Sequence, residues 1–375
     1  MSRTDWALAE RILCVRLDSL GDVLMTSPAL RALKASQPSR WLSLLTSEAG
    51  GDVARLIPEI DEVIVYNAPW LKATVPRRDS RAEYAMAERL RQGCFDAAVI
   101  FTVYSQHPLA SAMLCYLADV PLRLAHCHEN PYQLLTDWVP DPDPSQLVRH
   151  EVQRQLDLVA AVGCVTADER LSLRIPDAAH EAVQHLLAEV GISRATPWIV
   201  LHPGASAPSR RYPAAQFAAV GRELVVDGFQ VAVTGSAGEY ALVEEVRDGI
   251  GPGAIGLAGR LTLPELAALI AQARLLVANN TGPVHVAAAV GTPVVDLYAL
   301  TNPQHTPWLV PHRTLSSDVP CRWCYKSVCP EGHHHCLRLI PPATVAAAVR
   351  DLLDETSAPR VVPALASPAA PLSSG

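Results

Sequence analysis

The stretch Ile12-Leu13-Cys14-Val15-Arg16-Leu17-Asp18-Ser19-Leu20-Gly21-Asp22 runs from an apolar segment into a turn that carries an arginine, a glycine and two acids. Its counterpart in the second half is Leu275-Leu276-Val277-Ala278, followed by Asn279-Asn280-Thr281-Gly282-Pro283-Val284-His285. Each apolar run reads as a buried parallel strand, and each turn leads into a helix of small residues. Open α/β sheets bind ligands at such strand ends, because the free N–H groups at the start of the following helix attract anions. The two turns therefore predict two facing sites, one per half.

Outward from the first turn, Trp41 to Leu45, Glu62 to Tyr66 and Phe95 to Thr102 read as strands, with helices near 29–35, 48–56 and 81–92 between them. This is a βαβ series, hence a mostly parallel sheet covered by helices on both faces. The helix after Gly21 starts either at Asp22, with a kink at Pro28, or at Ser27-Pro28. After the Asp141-Pro142-Asp143-Pro144 loop, His150 to Val162 has amphipathic spacing. A second βα series follows, with strands at Trp198 to His202, Gln230 to Thr234, Ala254 to Leu257, Leu275 to Ala278 and Pro293 to Tyr298. Helices near 213–226, 239–248, 264–273 and 284–290 separate them, and Thr344 to Leu353 is the last. The expected organisation is a first domain over 1–165, a linker region over 166–196, a second domain over 197–355 and a Pro/Ala/Ser-rich tail over 356–375 that does not fold.

A chain of 375 residues with 49% hydrophobic and 18% charged residues can bury two cores. With 38 acids against 31 Lys+Arg and no long basic run, nucleic acid is not the expected partner. The first ten residues carry Arg3, Asp5 and Glu10 in place of a signal-peptide apolar core, and the apolar stretch 267–278 is broken by Gln272 and Arg274. The chain reads as soluble and cytoplasmic. Cys14, Cys94, Cys115, Cys127 and Cys164 are scattered through apolar segments as core residues would be.

Three loops of the second half share one sheet edge. In His202-Pro203-Gly204-Ala205-Ser206, small residues let a substrate approach the backbone, and Arg210 can neutralise a diphosphate. The loop Thr234-Gly235-Ser236-Ala237-Gly238-Glu239 places an acid either on a ribose hydroxyl or in the first turn of a helix. The hydroxyl of Thr281 and the N–H groups of Thr281 and Gly282 would face an anion, and His285 points either into that crevice or into the core. In the first half, Asp22 is either a general base facing the cleft or, like Asp18, a helix cap.

Taken together these residues resemble glycosyltransferase family 9, the ADP-heptose:lipopolysaccharide heptosyltransferases and their relatives. The resemblance covers about residues 11–355 and rests on five motifs. They are Arg-x-Asp-x-x-Gly-Asp-Val with Ser27-Pro28-Ala29-Leu30, the His-Pro-Gly-Ala loop, the basic residue three before Pro213, Gly-x-x-x-Glu, and Asn-Thr-Gly-Pro-x-His. It implies a GT-B architecture of two facing Rossmann-like domains with parallel sheets, the nucleotide sugar on the C-terminal one and the acceptor on the N-terminal one. The implied reaction is an inverting, metal-independent transfer of heptose or a related sugar from an ADP-sugar or other nucleotide diphosphate sugar. The implied acceptor is a hydroxyl of a lipopolysaccharide core or similar glycan, which would bring the protein against the inner membrane.

By the same resemblance Asp22 is the base, Arg210 holds the diphosphate, Glu239 the ribose and Thr281-Gly282 the phosphates. Gly204, Ser206, Asn280 and His285 complete the donor set, while Arg16, Asp18 and Gly21 contact acceptor sugar or phosphate. Many members carry Asp where Asn280 stands and Lys where Arg210 stands, so donor identity is less determined than reaction class. A nucleotide-sugar epimerase of the same build and a non-catalytic sugar-nucleotide-binding protein are the rival readings.

Asp141-Pro142-Asp143 matches the Asp-x-Asp metal motif of other glycosyltransferases superficially, but its flanking prolines predict a solvent-exposed turn. Cys321, Cys324, Cys329 and Cys336, with His333, His334 and His335 among them, have the density of a structural zinc or iron–sulfur site. The cluster is expected between the last strand and the terminal helix, away from the phosphate loops. Catalysis is expected to need no cofactor.

Overall fold

The computed structural model describes residues 3–72, 74–192 and 196–357. The first domain contains β1 (Arg11–Arg16), β2 (Trp41–Thr46), β3 (Glu62–Val65), β4 (Ala97–Ile100), β5 (Leu122–His126) and β6 (Asp137–Val139). The second contains β7 (Trp198–His202), β8 (Gln230–Gly235), β9 (Ala254–Ala258), β10 (Leu276–Asn279), β11 (Val294–Leu297) and β12 (His312–Leu315). The sheets run β3-β2-β1-β4-β5-β6 and β12-β11-β10-β7-β8-β9, and every pairing is parallel. The expected α/β fold of two Rossmann-like domains is therefore found. Each sheet reverses its winding beside its first strand, at β1/β4 and at β7/β10, the position where such sheets hold ligands.

The central strands are covered on both faces, which is why Ile12 to Val15 and Leu276 to Ala278 are uninterrupted apolar runs. The helix Leu20–Ser36 follows β1 and continues through Pro28. The ring of Pro28 removes the N–H that Leu24 O would accept, and Ser27 Oγ donates to that carbonyl instead, at 2.6 Å. This helix packs on Gly282–Val290 of the second domain, and Val23, Leu24, Val284 and Ala287 share one apolar cluster. The two domains thus meet through the helices that follow the two site-bearing turns.

The segment 166–196 contains a helix, Asp177–Glu189, which packs on Leu263–Gln272 of the second domain. The helix Glu151–Ala160 packs on Leu20–Ser36. Helix Leu109–Leu117 and strands β5, β6 and β12 had no sequence expectation. Cys94 is exposed at a left-handed backbone position (φ 48°), not in the core as expected, whereas the other four scattered cysteines are buried. The tail expectation concerns residues of which 358–375 lie outside those described. No helix among the described residues is long and apolar enough to cross a membrane.

Candidate active site between the two sheets

The carboxyl ends of β1, β7 and β10 face one another across a cleft of about 200 Å³. Asp18, Gly21 and Asp22 line one wall, and Arg210, Asn280, Thr281, Gly282 and His285 line the other. Gly204, Ser206 and Glu239 do not line it; they sit on the same strand edge, with the Glu239 carboxylate packed directly over the α-carbon of Gly204.

Asp22 lies in the first turn of the helix after β1. Its Oδ2 accepts from Ser19 Oγ at 2.7 Å and Ser19 N at 3.2 Å, so it does secure the helix start, as the capping alternative held. Its Oδ1 has one long bond, 3.3 Å from Arg16 Nη2, and is the less committed oxygen of a cleft-lining carboxylate. Capping and chemistry are thus compatible in one side chain. Burial, the largest single influence, opposes the charge on Asp22, but Arg16, His305, the Ser19 hydrogen bond and His285 together outweigh it and hold the carboxyl down at about 2. For Asp18 burial prevails over Arg16, and repulsion from Asp22 adds to it, pushing the carboxyl up to about 6.

Arg16 was expected to touch sugar or phosphate. Its side chain is 0% exposed, and its guanidinium reaches Asp18 at 3.1 Å, Asp22 at 3.3 Å and Glu151 at 3.0 Å. It lies beneath the turn because β1 is covered on both faces, and its last residue points down into the packing. It is placed to hold the three carboxylates.

Two glycines are explained by contact between domains. A Cβ on Gly21 would fall 2.6 Å from Cδ2 of His285, and one on Gly282 would fall 3.0 Å from Cδ2 of Leu20. The helix starts carrying Asp22 and Thr281-Gly282 can approach because both positions lack side chains. His285 is both buried and cleft-lining, with its Nδ1 lacking a partner among the described residues.

On the second domain Asn279 ties the loops together: its Oδ1 accepts from Tyr212 N at 2.9 Å, and its Nδ2 donates to Pro203 O at 2.7 Å. The next residue, Asn280, spends Nδ2 on Asp296 Oδ2 at 3.0 Å and His305 O at 2.8 Å. The Arg210 guanidinium makes no ion pair among the described residues, so its charge is available to a ligand. The helix Gly282–Val290 adds its free N–H groups and its positive end.

Several cleft residues had no sequence expectation, among them His305, which follows β11, and Tyr325, Lys326 and Ser327, within the cysteine-bearing segment. That segment was expected away from the phosphate loops. It returns to them: Ser209 N donates to Ser327 O at 3.1 Å and Ser209 Oγ to Lys326 O at 2.8 Å, beside Arg210. Lys326, four residues before Pro330, carried no motif signal.

A profile of glycosyltransferase family 9 (heptosyltransferase) matches residues 84–335, more than half of the chain. The chain belongs to glycosyltransferase family 9. The matched span holds Arg210, Asn280, Thr281, Gly282 and His285 of the cleft and leaves out the Asp22 turn. The lipopolysaccharide heptosyltransferase 2 of Salmonella typhimurium is 27% identical over 360 residues, covering 92% of this chain and 99% of that protein. Among solved structures, the glycosyl transferase family 9 of Veillonella parvula superposes with a TM-score of 0.77 at 23% identity, over 92% of this chain and 97% of that one. The E. coli ADP-heptose lipopolysaccharide heptosyltransferase II superposes at 0.73 and 23%, over 93% and 100%. The fold of this glycosyltransferase is thus the GT-B fold of its family.

At neither metal motif of this family 9 chain do the described residues form a metal-ligating group. Cys321 Sγ lies 3.8 Å from His333 Nε2, while His333 stacks on His335 with ring centroids 4.1 Å apart. A metal site needs several donors aimed at one point at ~2.0–2.3 Å. Among the described residues no group of three or more His, Cys, Asp or Glu side chains is so placed, and all four cysteines are free thiols. Asp141, expected in an exposed turn, is buried because Arg149 and Arg154 both bind it at 2.7 Å; Asp143 is exposed as expected.

Proposed function

We propose that this enzyme transfers heptose, or a related sugar, with inversion from an ADP-sugar or other nucleotide diphosphate sugar to a hydroxyl of a lipopolysaccharide core or similar glycan. The observation that carries the reading is the juxtaposition of Asp22 with Arg210 and the Gly282–Val290 helix start across one cleft. The diphosphate lies against Arg210, Lys326 and the N–H groups at Thr281-Gly282, with Glu239 at the ribose. The acceptor hydroxyl enters from the first domain and gives its proton to Asp22 Oδ1 as its oxygen bonds to the anomeric carbon, and the sugar–phosphate bond breaks with its electron pair on the diphosphate. A carboxylate held near 2 is ionised at neutral pH but weakly basic, so the proton moves late, once bond formation has acidified the hydroxyl.

The cysteine-bearing segment serves as a brace that carries Lys326 to the cleft, and two fixed cations with a helix end perform the charge neutralisation a divalent ion performs elsewhere. The acceptor would bring the enzyme to the membrane surface without a spanning helix. The test is a calorimetric screen of nucleotide diphosphate sugars, followed by transfer to heptose-free lipopolysaccharide oligosaccharide with and without EDTA. Transfer that survives EDTA supports the reading. Release of an isomerised nucleotide sugar without acceptor would replace it with an epimerase, and binding without any turnover would replace it with a sugar-nucleotide-binding protein.

A further inference from the structure

Glu151 is the first residue of the helix Glu151–Ala160, and its side chain is 0% exposed. It touches both domains. Its Oε1 accepts from Arg16 Nη2 at 3.0 Å and from Gln155 Nε2 at 2.6 Å. Its Oε2 lies 3.5 Å from Arg154 Nη1 and 3.9 Å from His305 Nε2. Its backbone N–H donates to Gln304 O in the second domain at 2.9 Å.

The neighbouring contacts make this a docked joint. Gln304 Nε2 donates to Arg149 O at 3.1 Å. Val152 N donates to His150 Nδ1 at 3.1 Å, which leaves the ring proton on Nε2, and that nitrogen donates to Thr306 O at 2.8 Å. The His150 ring lies on Trp308 with centroids 4.5 Å apart. The docked loop 301–308 also forms part of the cleft through Thr301, Asn302 and His305, and His305 O receives Asn280 Nδ2.

Arg16 Nη2 is therefore shared between Asp22 above and Glu151 below. Glu151 draws the guanidinium downward, which accounts for the long 3.3 Å bond to Asp22 Oδ1 and leaves that oxygen able to take a proton. We propose that Glu151 is a positioning residue for the transfer: its carboxylate sets the Arg16–Asp22 pair, and its backbone, docked on Gln304, makes that setting depend on the seating of the 301–308 loop. The donor side of the cleft thereby reports to the base. The proposal rests on the reading of Asp22 as the base, which Asp22→Asn tests separately.

Glu151→Gln keeps the shape and removes the charge. The expected result is a fall in kcat of about 10-fold, the scale of a mispositioned catalytic group, with ADP affinity within about twofold of wild type. In an Asp22→Asn background Glu151→Gln is expected to cause no further fall, because it acts through Asp22. Hydrogen exchange tests the tie without turnover: Gln304→Ala, a change outside the cleft, is expected to raise deuterium uptake at 301–308 and also at 18–24. With Glu151→Gln added, uptake at 18–24 should stop responding to Gln304→Ala. Unchanged uptake at 18–24 in every variant, or a loss of ADP affinity equal to the loss of kcat, would overturn the proposal. If wild-type protein transfers no sugar from any nucleotide diphosphate sugar it binds to lipopolysaccharide oligosaccharide, heptose-free or heptose-bearing, the functional reading fails, and the exchange experiment still decides whether Glu151 couples the two segments.

Discussion

Gly21 and His285 touch across the two domains, so closely that a Cβ on Gly21 would fall 2.6 Å from the imidazole Cδ2. Gly282 meets Leu20 in the same way from the other side. Two helix starts are thereby pressed together, one bearing a carboxylate and the other free N–H groups, and the cleft is the space left between them. Chemistry that needs a base and an anion cradle within one substrate length requires this approach.

Gly21→Ala is expected to part the domains, because His285 is buried and cannot swing clear. Overpacking of this kind costs about 1–3 kcal/mol, so the melting temperature should fall and turnover should fall by ~10-fold or more. ADP binding, which the proposed function places on the second domain, should change little. Wild-type turnover in a Gly21→Ala protein would show that the contact is dispensable.

Asp22→Asn retains an oxygen for Ser19 and should fold. Loss of a general base predicts a fall in kcat of ~100-fold or more, with ADP affinity nearly unchanged. Steady-state kinetics beside calorimetry separate the two, and near-normal turnover would assign the base elsewhere, with Asp18 the next carboxylate in the cleft.

Arg210→Ala and Lys326→Ala should each weaken ADP binding. A charge-assisted bond is worth about 1.5–3 kcal/mol, so Arg210→Ala should lose ~10–100-fold. Lys326 is exposed, and its smaller contribution should shrink further as salt rises. Calorimetry at low and high ionic strength checks both, and equal affinity for wild type and both variants would move the diphosphate away from these side chains.

Asp296 is fully buried beneath Asn280, and burial pushes its carboxyl from 3.8 up to about 8. The folded protein therefore keeps a proton that the unfolded chain releases over this range. The stability contributed by the neutral form is complete below the lower value and is lost as pH rises toward the upper one. Asp296→Asn keeps an acceptor for Asn280 Nδ2 and does not titrate, so its melting temperature relative to wild type should climb between pH 5 and about pH 8. A difference that is flat with pH would mean that Asp296 is ionised in the folded protein.

Much of the fold was legible because both sheets are buried on two faces, so β1 and β10 are written as continuous apolar runs. The elements that escaped are those without that signature. β6 is a three-residue edge strand, and β12 reads His-Arg-Thr-Leu, with His312 and Arg313 half-buried and Thr314 exposed. The helix Leu109–Leu117 is apolar nearly all round and shows no amphipathic period.

The cleft walls divide the same way. Asp22, Arg210, Asn280, Thr281 and Gly282 stand at strand ends, where a local turn pattern and the parallel-sheet rule together announce a site. His305 and Lys326 reach it from loops distant in sequence, Glu151 packs beneath Arg16 from a helix start, and no short-range pattern marks them. Arg16 shows the limit most directly: its place in the motif discloses neither its burial nor the three carboxylates gathered around it.

The sequence by itself determined the βα alternation, the two site-bearing turns and the family, because periodicity, turn chemistry and motif spacing are local properties of the chain. Only the tertiary structure decided which groups share the cleft, which oxygen of Asp22 is left to take a proton, and that the cysteine-bearing segment returns to deliver Lys326 beside Arg210. Those outcomes depend on the packing of residues far apart in the chain, where burial and opposing charges compete over distances that spacing along the sequence does not encode.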